Sequence, residues 1–149
     1  MLYDYCFYSN ITKSLENFPK APSRLRIDDS LLFDNFKIRK QDLHFLKSIG
    51  AVPDFDSPSG WCKLSQDVDE HKDGFGKTLL YCDSGASTFN YYNGVDFFYI
   101  ALTRGSYLVF NDYNEHSLTI HTRTTNLMVC GVKDFLKKQD NCFFKGNFK

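Results

Sequence analysis

Apolar side chains recur along this chain with two different periods, helical before residue 50 and strand-like after residue 78. Ile11, Leu15 and Phe18 fall at i, i+4 and i+7, one face of a short helix that Pro19 and Pro22 end. Between Ser23 and Lys40, Leu31, Leu32, Phe33, Phe36 and Ile38 imply burial, but neither period prevails and the segment stays unassigned. From Gln41 to Ile49 the helical period is clean: Leu43, Phe45, Leu46 and Ile49 share one side, His44 points away, and Gly50 followed by Pro53 ends the run. Residues 51–76 hold Pro53, Pro58, Gly60, Gly74 and Gly76 among many acidic side chains, which reads as a long surface loop around Trp61.

Strand-like runs then follow at Leu79–Tyr81, Thr88–Tyr92, Asp96–Thr103, Tyr107–Tyr113, Ser117–Arg123 and Leu127–Cys130. Asn93-Gly94 is a strong hairpin signal, because both central residues of a type I′ turn need positive φ, and Arg104-Gly105 and Asn114-Glu115 predict further hairpins. Val132, Phe135 and Leu136 line one helical face against Lys133, Asp134, Lys137 and Lys138, which predicts a closing helix. No internal repeat or low-complexity segment interrupts the chain. The expected fold is a single α+β domain over residues 1–149, an antiparallel meander of about five to six strands with helices packed on one side.

Composition narrows the function. Eighteen Lys+Arg balance eighteen Asp+Glu, so the chain lacks the positive excess that binds phosphate backbones, and no nucleic-acid partner is expected. The first ten residues carry Asp4 and no basic leader, and no apolar run spans a bilayer; a cytoplasmic protein without a membrane partner is the expectation. On that ground the sequon Asn10-Ile11-Thr12 is discounted. Five scattered cysteines, Cys6, Cys62, Cys82, Cys130 and Cys142, fit neither a disulfide framework nor a zinc site.

Several segments approach known chemistry without completing it. Gly76-Lys77-Thr78 has the tail of a phosphate loop, but His71 stands where the leading glycine belongs and a strand follows where a helix is required. Asp69-Glu70-His71-Lys72-Asp73-Gly74 has the outline of a calcium loop, yet His71 offers nitrogen to a hard cation and Leu80 replaces the closing glutamate; a solvated acidic loop is expected, with no metal and no cofactor. Cys62 beside Trp61 and Cys82 at a strand end lack any nucleophile signature, and neither a Gly-x-Ser-x-Gly elbow nor a His-Glu-x-x-His helix occurs. His116 and His121 lie five apart on one predicted strand and so face opposite sides, leaving Ser117, Thr119, His121 and Arg123 as a polar row.

Lys40-Gln41-Asp42-Leu43-His44-Phe45-Leu46-Lys47-Ser48-Ile49-Gly50, then Cys82-Asp83-Ser84-Gly85, then Val132-Lys133-Asp134-Phe135-Leu136-Lys137-Lys138, resemble in order and spacing the SUKH superfamily. Many members of that superfamily are bacterial immunity proteins. The resemblance implies a non-catalytic protein that binds and neutralises a cognate protein toxin. Trp61, Asp67, Asp69, Glu70, Asp73, Tyr91, Tyr92 and Tyr113 form the expected partner surface, acids for steering and aromatics for anchoring. The alternatives are a small hydrolase or RNA-processing enzyme using His121 with Thr119 and Arg123, and a structural adaptor. Oligomeric state is not readable.

Overall fold

The structure is a computed structural model that describes residues 5–8, 18–31, 37–135 and 142–145. Its strands are β1 (Tyr5–Tyr8), β2 (Ala51–Pro53), β3 (Gly60–Leu64), β4 (Val68–His71), β5 (Lys77–Ser84), β6 (Ala86–Tyr92), β7 (Phe97–Thr103), β8 (Tyr107–Asn111), β9 (Glu115–Ile120), β10 (Thr125–Phe135) and β11 (Cys142–Lys145). A single α-helix, α1 (Lys40–Ser48), stands among the described residues. All strand pairing within the two sheets is antiparallel. The larger sheet has seven strands, ordered β11-β1-β8-β5-β10-β2 with β3 also on β10; the smaller has four, ordered β4-β9-β6-β7.

Burial on both faces explains the larger sheet. Along β5, Leu79 and Tyr81 pack with Trp61, Tyr107, Met128 and the α1 residues Phe45 and Leu46. Leu80 and Cys82 point the other way, against Phe89, Tyr91, Leu102 and Leu118 of the smaller sheet. A strand covered on both sides reads as a continuous apolar run, as 79–82 does. The smaller sheet buries one face only, and β6 alternates buried and part-buried positions along its whole length.

The helix side is fixed by one carboxylate. Asp42 is fully buried; its Oδ2 accepts the Arg39 backbone N–H at 2.8 Å and the Trp61 indole N–H at 2.9 Å, and Arg39 donates to both carboxylate oxygens at 3.1 Å. That cap starts α1 and ties it to β3, so the predicted helix over 41–49 is present and docks where its apolar face demands.

The α+β meander is nonetheless the wrong architecture, and three features of the chain explain the correction. Successive strands change sheets: Gly85 carries the chain from β5 to β6, Arg104-Gly105 from β7 to β8, and residues 112–114 from β8 to β9. Arg104-Gly105 and Asn114-Glu115 are therefore crossings between sheets; Asn93-Gly94 does join the paired strands β6 and β7. The expected closing helix is strand over 132–135, because Val132, Asp134 and Phe135 pair with Pro53, Val52 and Ala51 of β2. The expected surface loop over 51–76 contains β2, β3 and β4, with Trp61 2% exposed in the core. Helix one, over 11–18, falls outside the described residues except for Phe18, which packs on Phe45 and Tyr81. Among the described residues no helix is long and apolar enough to cross a membrane.

The crossing at Gly85 has φ +84°, and a Cβ there would stand 2.4 Å from the Thr124 carbonyl oxygen and 2.8 Å from Thr122 Oγ1. Gly94 also has positive φ (+97°) but opens on empty space. Gly94→Ala should therefore cost only the left-handed backbone term, about 1–2 kcal/mol, whereas Gly85→Ala should cost about 3 kcal/mol or more through added overlap with backbone. Urea midpoints of the two variants check the order; equal losses would contradict it.

Candidate metal centre

Strand alternation would place Val68 and His71, three residues apart, on opposite faces of β4. A register shift in the β4–β9 ladder prevents this: Val68 pairs with Leu118 and His71 with His116, so three steps on one strand match two on the other. The extra residue is a β-bulge, which re-aims the chain after it. Val68, His71, His116 and Leu118 consequently all face the space between the sheets. The His71 and His116 rings lie with centroids 4.3 Å apart.

Asp73, two residues on, completes the group. Its Oδ2 lies 3.2 Å from His116 Nε2 and 3.4 Å from His71 Nε2. The other nitrogen of each ring is held by backbone: His71 Nδ1 is 2.7 Å from the Asp69 carbonyl and His116 Nδ1 is 2.7 Å from the Asn114 carbonyl. A carbonyl oxygen only accepts, so each Nδ1 carries a hydrogen, and the Nε2 of each ring is turned inward toward Asp73. Burial disfavours the alternative of charging His116, which is 7% exposed, and pushes its pKa below the ordinary imidazole value. Two Nε2 atoms and a carboxylate oxygen thus all lie within 4.8 Å of one another, an arrangement that could hold a cation.

The spacing suits a transition metal. Bonds of about 2.1 Å set neighbouring ligand atoms about 3–3.5 Å apart, and both His–Asp separations here fall in that interval. Two imidazoles with one carboxylate leave coordination positions open and match borderline metals such as iron(II) or zinc better than calcium. Backbone carbonyls on both Nδ1 atoms are the outer support such ligands use.

Asp112 holds the loop that carries Asp73. Its backbone carbonyl accepts the Asp73 N–H at 2.7 Å, and its carboxylate accepts the N–H groups of Phe75 and Gly76 at 3.1 and 2.7 Å. The Asp112 N–H in turn donates to the Gly76 carbonyl at 2.9 Å. Burial holds the Asp112 carboxyl above its ordinary pKa, opposed by the N–H groups of Gly76 and Phe75. Behind the triad a cavity of about 240 Å³ runs between the sheets, walled mainly by apolar side chains including Leu64, Leu80, Phe89, Phe110 and Leu127.

The residues expected to form a partner surface are dispersed. Trp61 and Tyr91 are buried in the two separate cores. Asp67 is exposed and its Oδ1 accepts the Ile120 N–H at 2.7 Å; Asp69 supplies the carbonyl on His71; Glu70 is exposed beside Glu115. Tyr92 donates to the Gly94 carbonyl and Tyr113 is exposed. Asp73 alone of that set joins the converging group. The residues named for the enzyme alternative do not line this cavity: His121 is exposed against Thr88 Oγ1, Thr119 accepts from Asn90, and Arg123 is exposed.

The expectation of a non-catalytic immunity protein that neutralises a toxin is overturned by this convergence, since its premise was that no polar groups meet around a reacting point. The chemistry lies in the segment set aside as a faulty calcium loop. Its nitrogen donor is wrong for calcium, but nitrogen and carboxylate two apart at a strand end suit a transition metal, and that was the usable signal. His116 carried no signal of its own, because its partnership depends on the bulge.

No protein-family model matches the chain, and no curated protein matches it in sequence. Among solved structures, it is similar to an acireductone dioxygenase from Bacillus anthracis with a cadmium ion in its active centre, at TM-score 0.47 and 14% identity over 88% of this chain and 80% of that one. A cupin-2 domain containing protein from Shewanella frigidimarina aligns at TM-score 0.43 and 14% identity, over 64% of this chain and 94% of that one. The epimerase RmlC from Legionella pneumophila aligns at TM-score 0.45 and 8% identity over 68% of this chain, which spans only 59% of that one. The likeness is loose at these values, and the chemistry of the site rests on its own residues.

Removing the Asp112 carboxylate should loosen the loop under Asp73. Asp112→Ala is expected to lower stability by about 1–3 kcal/mol through unpaired N–H groups and to weaken metal binding by about 10–100-fold, read by denaturation and metal titration. The buried thiols should be inert: burial pushes Cys62 up to about 12 and Cys82 and Cys130 up to about 11. A thiol whose folded pKa is raised stabilises fully below its unfolded pKa, and that stability is lost as pH rises through the folded value. Resistance to urea should therefore decline between about pH 9 and pH 12, with no labelling of these three thiols by a thiol reagent at pH 8 in the folded protein.

Proposed function

We propose that this protein is a mononuclear metal-dependent enzyme, with a divalent transition-metal ion held by His71, Asp73 and His116 beside the inter-sheet cavity. The observation that carries the reading is the meeting of two Nε2 atoms and one carboxylate oxygen within 4.8 Å of one another, both His–Asp pairs at ligand spacing, with both Nδ1 hydrogens committed to backbone carbonyls. A bound divalent ion supplies a Lewis-acid centre.

The chain's own residues do the rest. His71 and His116 are fixed in rotation by Asp69 and Asn114, so their donor atoms are set before any ligand arrives. Asp73 contributes the single negative charge of the ligand set, held in place through Asp112. Three protein ligands leave room in the coordination shell for a small molecule, and the cavity directly behind them, walled mainly by apolar side chains, has space for its body.

Titration with zinc or iron(II) tests the proposal. One equivalent should bind per chain, and at about 100 times the dissociation constant the folded state should gain about 2.7 kcal/mol. His116→Ala, His71→Ala and Asp73→Ala should each remove most of that gain while leaving the metal-free protein folded. A wild-type protein that takes up no metal, or whose binding survives all three substitutions, contradicts the proposal.

A further inference from the structure

From the character of the cavity wall we infer that the ligand of this centre is a small molecule with one metal-binding head, such as a monocarboxylate, on an apolar body of medium size. This rests on the metal-centre reading and adds the substrate class.

The wall decides between ligand types. All three triad residues line the cavity, so a group bound at the open side of the metal continues directly into it. Beyond the triad the lining is mostly apolar, with the hydroxyls of Ser57, Thr78 and Ser117 set into it, and no Lys or Arg is among the described residues that line it. A second carboxylate or a phosphate at the far end of a ligand would enter this space with no cation among the described lining residues to pair with, and so would lose its hydration uncompensated. The further carboxylate in the wall, Asp112, repels a second anion instead of holding it. Dianionic substrates are thereby selected against, while each buried methylene tightens binding about fourfold.

Size sets the other bound. A cavity of about 150 Å³ with comparable walls admits benzene; this one, at about 240 Å³, has room for a ring bearing a short side chain or an aliphatic chain of medium length. The exposed Phe75, between Gly74 and Gly76, lines the same cavity and its backbone is anchored on Asp112, which places an aromatic face where the apolar body enters.

Calorimetry on the full chain loaded with zinc tests the inference, with octanoate, its dicarboxylate of equal length (octanedioate) and acetate as probes. Octanoate should bind at least about tenfold tighter than either of the others, and at least about tenfold tighter than to metal-free protein. Leu127→Phe and, as a second variant, Val129→Phe should each weaken octanoate binding about fivefold or more by filling the cavity, at equal metal content measured in each sample. If zinc binds but octanedioate or acetate equals octanoate, or if octanoate ignores the metal, the inference falls while the metal centre stands. If zinc does not bind at all, both fall.

Discussion

The register of β4 against β9 is the constraint on which the centre depends. His71 and His116 belong to strands whose ordinary alternation would hide one ring from the other's face; one extra residue in β4 brings both inward. Once paired, they place two nitrogen donors side by side, and the chain needs only two more residues to deliver Asp73. The bulge is local, but it is held from below by Leu118 and Val68, which sit in the inter-sheet core. Side-chain chemistry at the mouth and apolar packing beneath it are thus one structure.

The larger sheet acts as the rigid floor. Its strands are covered by α1 on one face and by the smaller sheet on the other, with Asp42 locking the helix to Trp61. β10 runs through its centre, bonded to β5 along one edge and to β3 and β2 in succession along the other. With the floor fixed, the smaller sheet can carry the ligands on its inner face, while Asp112, just beyond β8 of the floor, pins the loop between β4 and β5. The cavity is the gap these two layers leave between them.

Much of the secondary structure was legible in sequence, and the architecture was not. Six strand runs in the second half and the helix over 41–49 follow from period alone. The distinction between continuous runs such as 79–82 and alternating ones such as 86–92 also records which strands are covered on two faces. What period cannot show is which sheet a strand joins: Arg104-Gly105 looks like a hairpin turn whether the next strand pairs beside the last or crosses the sandwich. Val132 to Phe135 misled because a helical spacing of apolar residues also fits a strand whose ladder with β2 contains a bulge. The centre was half visible, in His71 and Asp73, and half dependent on a register that no local pattern encodes.

X-ray absorption at the metal edge, on protein loaded with one equivalent of zinc, tests the account most directly. The account predicts an ordered shell containing two imidazole nitrogens and one carboxylate oxygen at about 2.0–2.2 Å, with one imidazole lost in His116→Ala. A shell of water oxygens without imidazole scattering, or one unchanged by that substitution, would contradict it.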